Sequence, residues 1–315
     1  MRAVRGVSHQ ITVADVPEPM ATADSVVVSI ASAGICGSDL HMIDLFDAPL
    51  TFGHELAGRL ADGTPVAIEP LQPCGVCAGC VAGDYHRCVI GVAAIFGVGR
   101  DGGMADKCLV PTRSLVPLSD SVALTDASLV EPLAVAAHGL RRGDVRPDER
   151  VAVIGGGALG QAVIAASIAR GVTSLDAAVR HDRQRESAQR LGASLEVSDG
   201  YDVVIESAGT PSALAQAIEV CRPGGRVVIV GSYWDGNMGP VGMDMALKEI
   251  NLIPSFMYSR TGDTRDIDVA ASILAERPEI ADAIITHRFP LDAAAEAFAV
   301  ARDRQAGAIK VVLEP

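Results

Sequence analysis

Six consecutive residues, Gly155-Gly156-Gly157-Ala158-Leu159-Gly160, constrain the fold of this 315-residue chain more than any others. They follow the short apolar run VAVI and open the uncharged run GQAVIAASIA. A β-branched run, a glycine turn and a helix-forming run is the context in which G-x-G-x-x-G has physical meaning. The first glycine permits the tight turn, the second lets the backbone approach a pyrophosphate, and the third lets helix and strand pack closely. The helix start then directs free N–H groups at phosphate. Residues 151–169 carry no charge over 19 positions, but the glycines make strand, turn and helix a better reading than a membrane span.

The pattern around this turn extends the constraint. From Arg150 onward, runs suited to strands (VAVI, SLDAAVR, YDVVIESAG, GGRVVIVGS, INLIPSFMY) alternate with runs suited to helices (GQAVIAASIARG, RQRESAQRLG). Such alternation implies βαβ units and a parallel sheet. Residues 1–123 read differently: SVVVSIAS, LAGRLADGTPVAI and KCLVPTRSLVPL are short strand-like runs broken by Gly, Pro and Asp. With 49% apolar residues the chain can bury two cores, and its length favours two domains. We assign residues 124–259 to the parallel-sheet domain, and residues 1–123 with the returning tail 260–315 to the β-rich one.

Net charge is −13, which argues against nucleic acid or an anionic membrane as partner. The seven cysteines, an odd number, suit a reducing compartment better than a disulfide framework, and the N-terminal residues hold no apolar signal core; both point to the cytoplasm. Four of the seven, Cys74, Cys77, Cys80 and Cys88, are spaced C-x2-C-x2-C-x7-C. Four thiolates so close in sequence suit one tetrahedral zinc ion with no open position, a structural site. A ferredoxin-type cluster would have a shorter last gap and a Pro after the final Cys, where Val89 stands here. A second constellation, GICGSDLH and TFGHE, supplies Cys36, His41, His54 and Glu55. One thiolate, one imidazole and a carboxylate suit zinc with an open position, although a buried Cys and a core His satisfy the pattern equally well.

In this order the motifs resemble the zinc-dependent medium-chain dehydrogenase/reductase family, of the alcohol and polyol dehydrogenase type. The likeness runs through GICGSDLH, GHELAG, the four-cysteine lobe at 74–88, DGGMAD, VEPLAVAAHG, VIGGGALG, PGGRVVIVG and KVVLE, nearly the whole chain. It implies an α/β protein: a Rossmann doubly wound parallel sheet plus a GroES-like β-rich catalytic domain. It implies interconversion of an alcohol, secondary or polyol, with its carbonyl by hydride transfer, and two zinc ions per chain, one catalytic and one structural. By resemblance Cys36 and His54 hold the catalytic zinc, Glu131 stands at the third ligand position, and Glu55 is the carboxylate that swings onto the metal. Asp39 orients a ligand histidine, and Ser38 and His41 relay the alcohol proton through the nicotinamide ribose to solvent.

The same resemblance places cofactor contacts at Gly155, Gly157, Ala158, Leu159, Gly160, Ser207, Ala208, Val230 and Gly231, with Lys310 near the pyrophosphate. Aligned on Ala188 and Gly192, the family's ribose-binding acid falls on Val179, followed by Arg180 and His181. An apolar residue followed by Arg favours a 2′-phosphate, hence NADP(H) over NAD(H). A shifted register would instead offer Asp182 or Asp176 to an NAD ribose. The alternatives are an NAD-dependent dehydrogenase of an amino alcohol or biosynthetic intermediate, and a catalytically idle cofactor-binding protein. The partners implied are a small-molecule alcohol or carbonyl and further copies of the chain, as a homodimer or homotetramer, with the apolar segment 237–247 a candidate interface. Met42, Phe46, Phe96, Tyr233 and Trp234 suit a pocket wall or core equally.

Overall fold

The computed structural model describes residues 1–45, 50–239, 242–303 and 305–315. Phe46, and Pro240 and Val241 of the candidate interface segment, lie outside the described residues. The chain divides into two compact units, Met1–Glu131 with Ser259–Pro315, and Pro132–Tyr258. The division falls within one helix, Val130–Arg142.

The first unit is built on a seven-stranded sheet. Its order is Ile285–Pro290, Lys310–Glu314, Ser25–Gly34, Glu55–Arg59, Pro65–Ile68 and Leu115–Pro117, with Lys107–Pro111 also paired to Ser25–Gly34. The ten-residue strand Ser25–Gly34 is the spine. Its N-terminal half pairs with Lys107–Pro111, its last residues pair with Lys310–Glu314, and its other edge pairs with Glu55–Arg59. Val28, Ile30 and Ala33 of this strand meet Phe52, Leu56, Val66, Ile68, Met104 and Phe298 in one buried core. Period-two burial of β-branched residues explains why SVVVSIAS reads and folds as a strand. The cysteine lobe is an excursion from this sheet, made of the short helix Ala78–Val81 and the 3-10 turn Tyr85–Arg87.

The second unit is a five-stranded parallel sheet in the order Asn251–Pro254, Cys221–Ile229, Tyr201–Glu206, Arg150–Ile154, Ser174–Ala178. The order reverses direction between Arg150–Ile154 and Tyr201–Glu206, the switch point at which doubly wound sheets bind ligands. Beyond Ser174–Ala178 a further strand is reduced to a single bridge, Asp176↔Ser194. The uncharged stretch at 151–169 is strand Arg150–Ile154 and helix Ala158–Ala169, and among the described residues no helix is long and apolar enough to cross a membrane. Helix Pro211–Val220, not among the helices read from the pattern, starts with Pro inside its first turn and the Thr210 hydroxyl accepting the Ala213 N–H. All seven cysteines are free thiols, and Cys108 and Cys221 are buried.

Candidate active site

The metal-binding constellation gathers within the first unit where strand Ser25–Gly34 ends and helix Gly37–Leu45 begins. Cys36 lies in that junction, and His54 and Glu55 open the neighbouring strand Glu55–Arg59. One donor atom each from Cys36, His54 and Glu55 lies within 4.8 Å of the others, close enough to share one ion. Glu131 is not part of this close group. It is buried nearby, and burial pushes its carboxyl up to about 7, with the charge of His54 pulling the other way. Glu55, which its strand register sets directly opposite Gly34, supplies the carboxylate of this close group, and Glu131, which the resemblance puts at the third ligand position, lies outside it.

The donors are held by their neighbours. Asp39 is fully buried, and its Oδ2 accepts the Cys36 backbone N–H at 2.9 Å. Its Oδ1 faces His54 Nδ1 at 3.5 Å, and among the described residues neither of these two buried atoms has a hydrogen-bond partner. A proton on Nδ1 answers this pairing and leaves the Nε2 lone pair for a metal, the usual way a carboxylate fixes a ligand histidine. Burial opposes a charge on His54, but Asp39 and Cys36 outweigh it and raise its hold on a proton, which metal binding would release. Ser38 Oγ lies 3.4 Å from His54 Nε2, at the mouth of this donor set. His41, three residues further along the helix and so on the same side, is exposed.

Lys310 corrects the sequence reading. It does not project toward a phosphate: it is 2% exposed, its ammonium contacts both Glu55 carboxylate oxygens at 2.7 Å, and it donates to the Ile35 carbonyl at 3.0 Å. The pair is separated by 255 residues, so no local pattern could reveal it.

The four-cysteine lobe tests well against zinc. Tetrahedral zinc with Zn–S bonds of ~2.3 Å needs sulfur–sulfur edges of ~3.8 Å. The Cys74–Cys80, Cys77–Cys80 and Cys77–Cys88 sulfurs lie 3.9, 3.4 and 3.9 Å apart. Backbone N–H groups of Cys80 and Val89 hold the Cys77 thiol down to about 6, whereas burial pushes Cys80 up to about 12.

In the second unit the glycine turn has the geometry its sequence demands. Gly155 has φ +115°, and a Cβ on Gly160 would stand 2.1 Å from the Gly155 carbonyl oxygen. Gly157 precedes helix Ala158–Ala169 without a side chain to cap it, and the space beside its Cα is open. The first-turn N–H groups, among them those of Ala158, Leu159 and Gly160, are thus left without a side-chain acceptor. Ser207 supports this turn rather than offering a free hydroxyl: its Oγ donates to the Ile154 and Gly155 carbonyls. Ala208 likewise spends its N–H, at 2.7 Å, on Glu206.

Glu206 is the residue that sequence reasoning missed. Fully buried at the end of Tyr201–Glu206, it accepts the Ala208 and Gly209 N–H groups and the Tyr233 hydroxyl. Its carbonyl accepts the Val230 and Gly231 N–H groups, so one residue ties together the ends of the adjacent strands Tyr201–Glu206 and Cys221–Ile229. The available signal was a lone acid closing the apolar run VVI. Val179 packs on the glycine between the first two of the motif: a Cβ on Gly156 would lie 2.7 Å from Val179 Cγ1. Arg180 follows, exposed, with Nη2 3.3 Å from Ser212 Oγ, and His181 precedes helix Asp182–Leu191, exposed. Asp176 lies mid-strand and accepts the Tyr201 hydroxyl at 2.8 Å, which removes it as an acid at the strand end.

These two sites, a thiolate–imidazole–carboxylate group on a β-rich unit and a glycine turn on a parallel sheet, define a metal- and dinucleotide-binding oxidoreductase. Residues 22–120 match the family described as alcohol dehydrogenase GroES-like domain, and residues 158–275 the family described as zinc-binding dehydrogenase. Galactitol 1-phosphate 5-dehydrogenase of Escherichia coli (strain K12) is 30% identical over 325 residues, covering 93% of this chain and 93% of that protein. The solved structure of galactitol-1-phosphate dehydrogenase from Escherichia coli superposes with TM-score 0.89 at 28% identity, covering all of both chains. A zinc-binding dehydrogenase from Sinorhizobium meliloti 1021, bound to NADP, superposes with TM-score 0.88 at 27% identity, covering 100% of this chain and 99% of that one. The chain belongs to the zinc-dependent medium-chain dehydrogenase/reductase family, of the alcohol and polyol dehydrogenase type. It is accordingly an oxidoreductase of alcohol and carbonyl groups that uses a nicotinamide cofactor.

Proposed function

We propose that this protein interconverts a secondary alcohol or polyol with its carbonyl compound, using NADP(H) and two zinc ions per chain. The observation that carries the reading is the convergence of Cys36, His54 and Glu55, backed by the buried Asp39. Cys36 and His54 would hold the catalytic metal with Glu55 in reach, and Cys74, Cys77, Cys80 and Cys88 a structural one. When bound, zinc would supply a Lewis acid for the substrate oxygen and the nicotinamide a hydride acceptor or donor for its carbon. Ser38 Oγ, beside the His54 ring, would accept the alcohol proton while releasing its own through the nicotinamide ribose hydroxyl to the exposed His41, which would pass a proton to solvent. Asp39 holds the His54 ring in the tautomer that leaves Nε2 free.

The cofactor preference rests on Val179 and Arg180. Val179, against Gly156, offers no acceptor to a ribose 2′-hydroxyl, and Arg180 beside it carries an exposed charge, next to Ser212, for a 2′-phosphate. We place the protein in the cytoplasm on the strength of its free thiols. We assign a homodimer or homotetramer to it, in keeping with the family resemblance and with the exposed Trp234, Met238, Met243, Leu247 and Phe256 close in sequence to the edge strand Asn251–Pro254.

Fluorescence titration of the zinc-loaded protein with NADPH and with NADH tests the assignment. NADPH should bind tighter, and Arg180→Ala should weaken NADPH alone by roughly tenfold or more, the worth of one charge-assisted contact. Tighter NADH binding would contradict the preference, and binding of neither would contradict the dehydrogenase reading.

A further inference from the structure

The Glu55 carboxylate has a seat that the reaction as described does not require. A Cβ on Gly34 would stand 2.0 Å from Glu55 Oε2, so only glycine leaves room for the carboxylate to lie over that strand end. From another side, Lys310 Nζ holds both oxygens at 2.7 Å and is itself anchored on the Ile35 carbonyl, one residue before Cys36. Both side chains are 2% exposed, so the pair is sheltered from water and salt. Yet a Glu55 oxygen also lies within 4.8 Å of the Cys36 and His54 donors. One carboxylate is thus shared between a lysine and a metal position. An ionised carboxylate has about four lone-pair sites, so geometry and charge, not valence, decide how strongly it leans to either.

We propose that Lys310 is a positioning residue that restrains Glu55 from full engagement with the catalytic metal, using Gly34 as the seat. The proposal rests on the reading of Cys36, His54 and Glu55 as a metal site. Two effects act in the same direction. Lys310 competes for the oxygens that Glu55 would offer the ion, and its positive charge opposes a second cation close by. Lys310 would thereby set how far Glu55 joins Cys36 and His54 in holding the ion.

Cadmium substitution followed by cadmium NMR tests this, because the four-thiolate lobe and the mixed sulfur–nitrogen–oxygen site give separate resonances and the lobe serves as internal reference. In Lys310→Met the mixed-site resonance should move as Glu55 engages the metal fully, while the lobe resonance stays in place. Chelator-driven loss of zinc from that site should slow by roughly 10- to 100-fold, the scale on which groups behind metal ligands act. Lys310→Arg should keep the wild-type resonance, and adding Glu55→Gln to Lys310→Met should abolish the new one. If Lys310→Met does not fold, Gly34→Ala displaces the carboxylate from the other side and should move the same resonance. An unmoved mixed-site resonance with unchanged zinc loss would overturn the proposal. A wild-type spectrum with the lobe resonance alone would overturn the metal-site reading on which it rests.

Discussion

At the residue scale, the site depends on groups that touch its donors rather than on the donors alone. Asp39 binds the Cys36 N–H with one oxygen and faces His54 Nδ1 with the other. Asp39→Asn keeps the shape but presents an amide to His54, and metal affinity should fall roughly 10- to 100-fold; zinc competition with a chromophoric chelator measures it, and unchanged affinity would contradict the role given to Asp39. Cys36 and His54 were picked out by the resemblance of GICGSDLH and TFGHE to a family, since a thiol and an imidazole alone suit a buried Cys and a core His. Glu206 and the Lys310–Glu55 pair were not. A buried acid announces itself only through the donors it meets, and those come from Ala208, Gly209 and Tyr233 in one case and from a strand 255 residues away in the other.

At the element scale, the cysteine lobe is fastened to the sheet it leaves. Tyr85, inside the lobe, donates to the buried Glu69 at 2.5 Å, and Arg265 contacts the other Glu69 oxygen at 3.0 Å. Tyr85→Phe leaves a buried carboxylate short of a donor and should cost about 1–3 kcal/mol by chemical denaturation. In the second unit Asp202 joins two strands, accepting from Arg222 at 2.7 Å and from the Arg150 N–H at 3.0 Å. The Arg222 hydrogen bond, with the Arg150 N–H, holds its carboxyl below the ordinary carboxylate value. Its contribution is therefore present above the ordinary carboxylate pKa and is lost as pH falls through the lowered one. Asp202→Asn should cost ~1 kcal/mol or less at neutral pH, since solvent screens the partly exposed pair, and the gap from wild type should close in acid. Urea midpoints measured across pH check both statements; a gap that widened in acid would contradict them. The strands and helices flanking the glycine turn were legible because their periodicity is strong. Helix Pro211–Val220 was overlooked although Thr210-Pro211 is a helix-start signal, and the strand reduced to the Ser194 bridge has no apolar run to announce it.

At the scale of the whole molecule, five apolar side chains from Trp234 to Phe256 are exposed close to the edge strand Asn251–Pro254 and offer the proposed assembly its contact. Solution scattering at micromolar concentration should return a dimer or larger, and Leu247→Glu with Met243→Glu should shift it toward the monomer; a wild-type monomer would contradict the assembly. The two-unit plan followed from a change of periodicity along the chain, whereas the return of strand Lys310–Glu314 to pair with Ser25–Gly34 is a long-range choice that no local pattern dictates. The central claim is that this chain carries a catalytic metal on Cys36, His54 and Glu55, separate from the one in the cysteine lobe. Zinc content per chain, measured by atomic emission on the wild type and on Cys36→Ser, tests it most directly. The account predicts two zinc ions in the wild type and one in a folded, inactive Cys36→Ser. Equal zinc content in both proteins, or full activity in the variant, would contradict it.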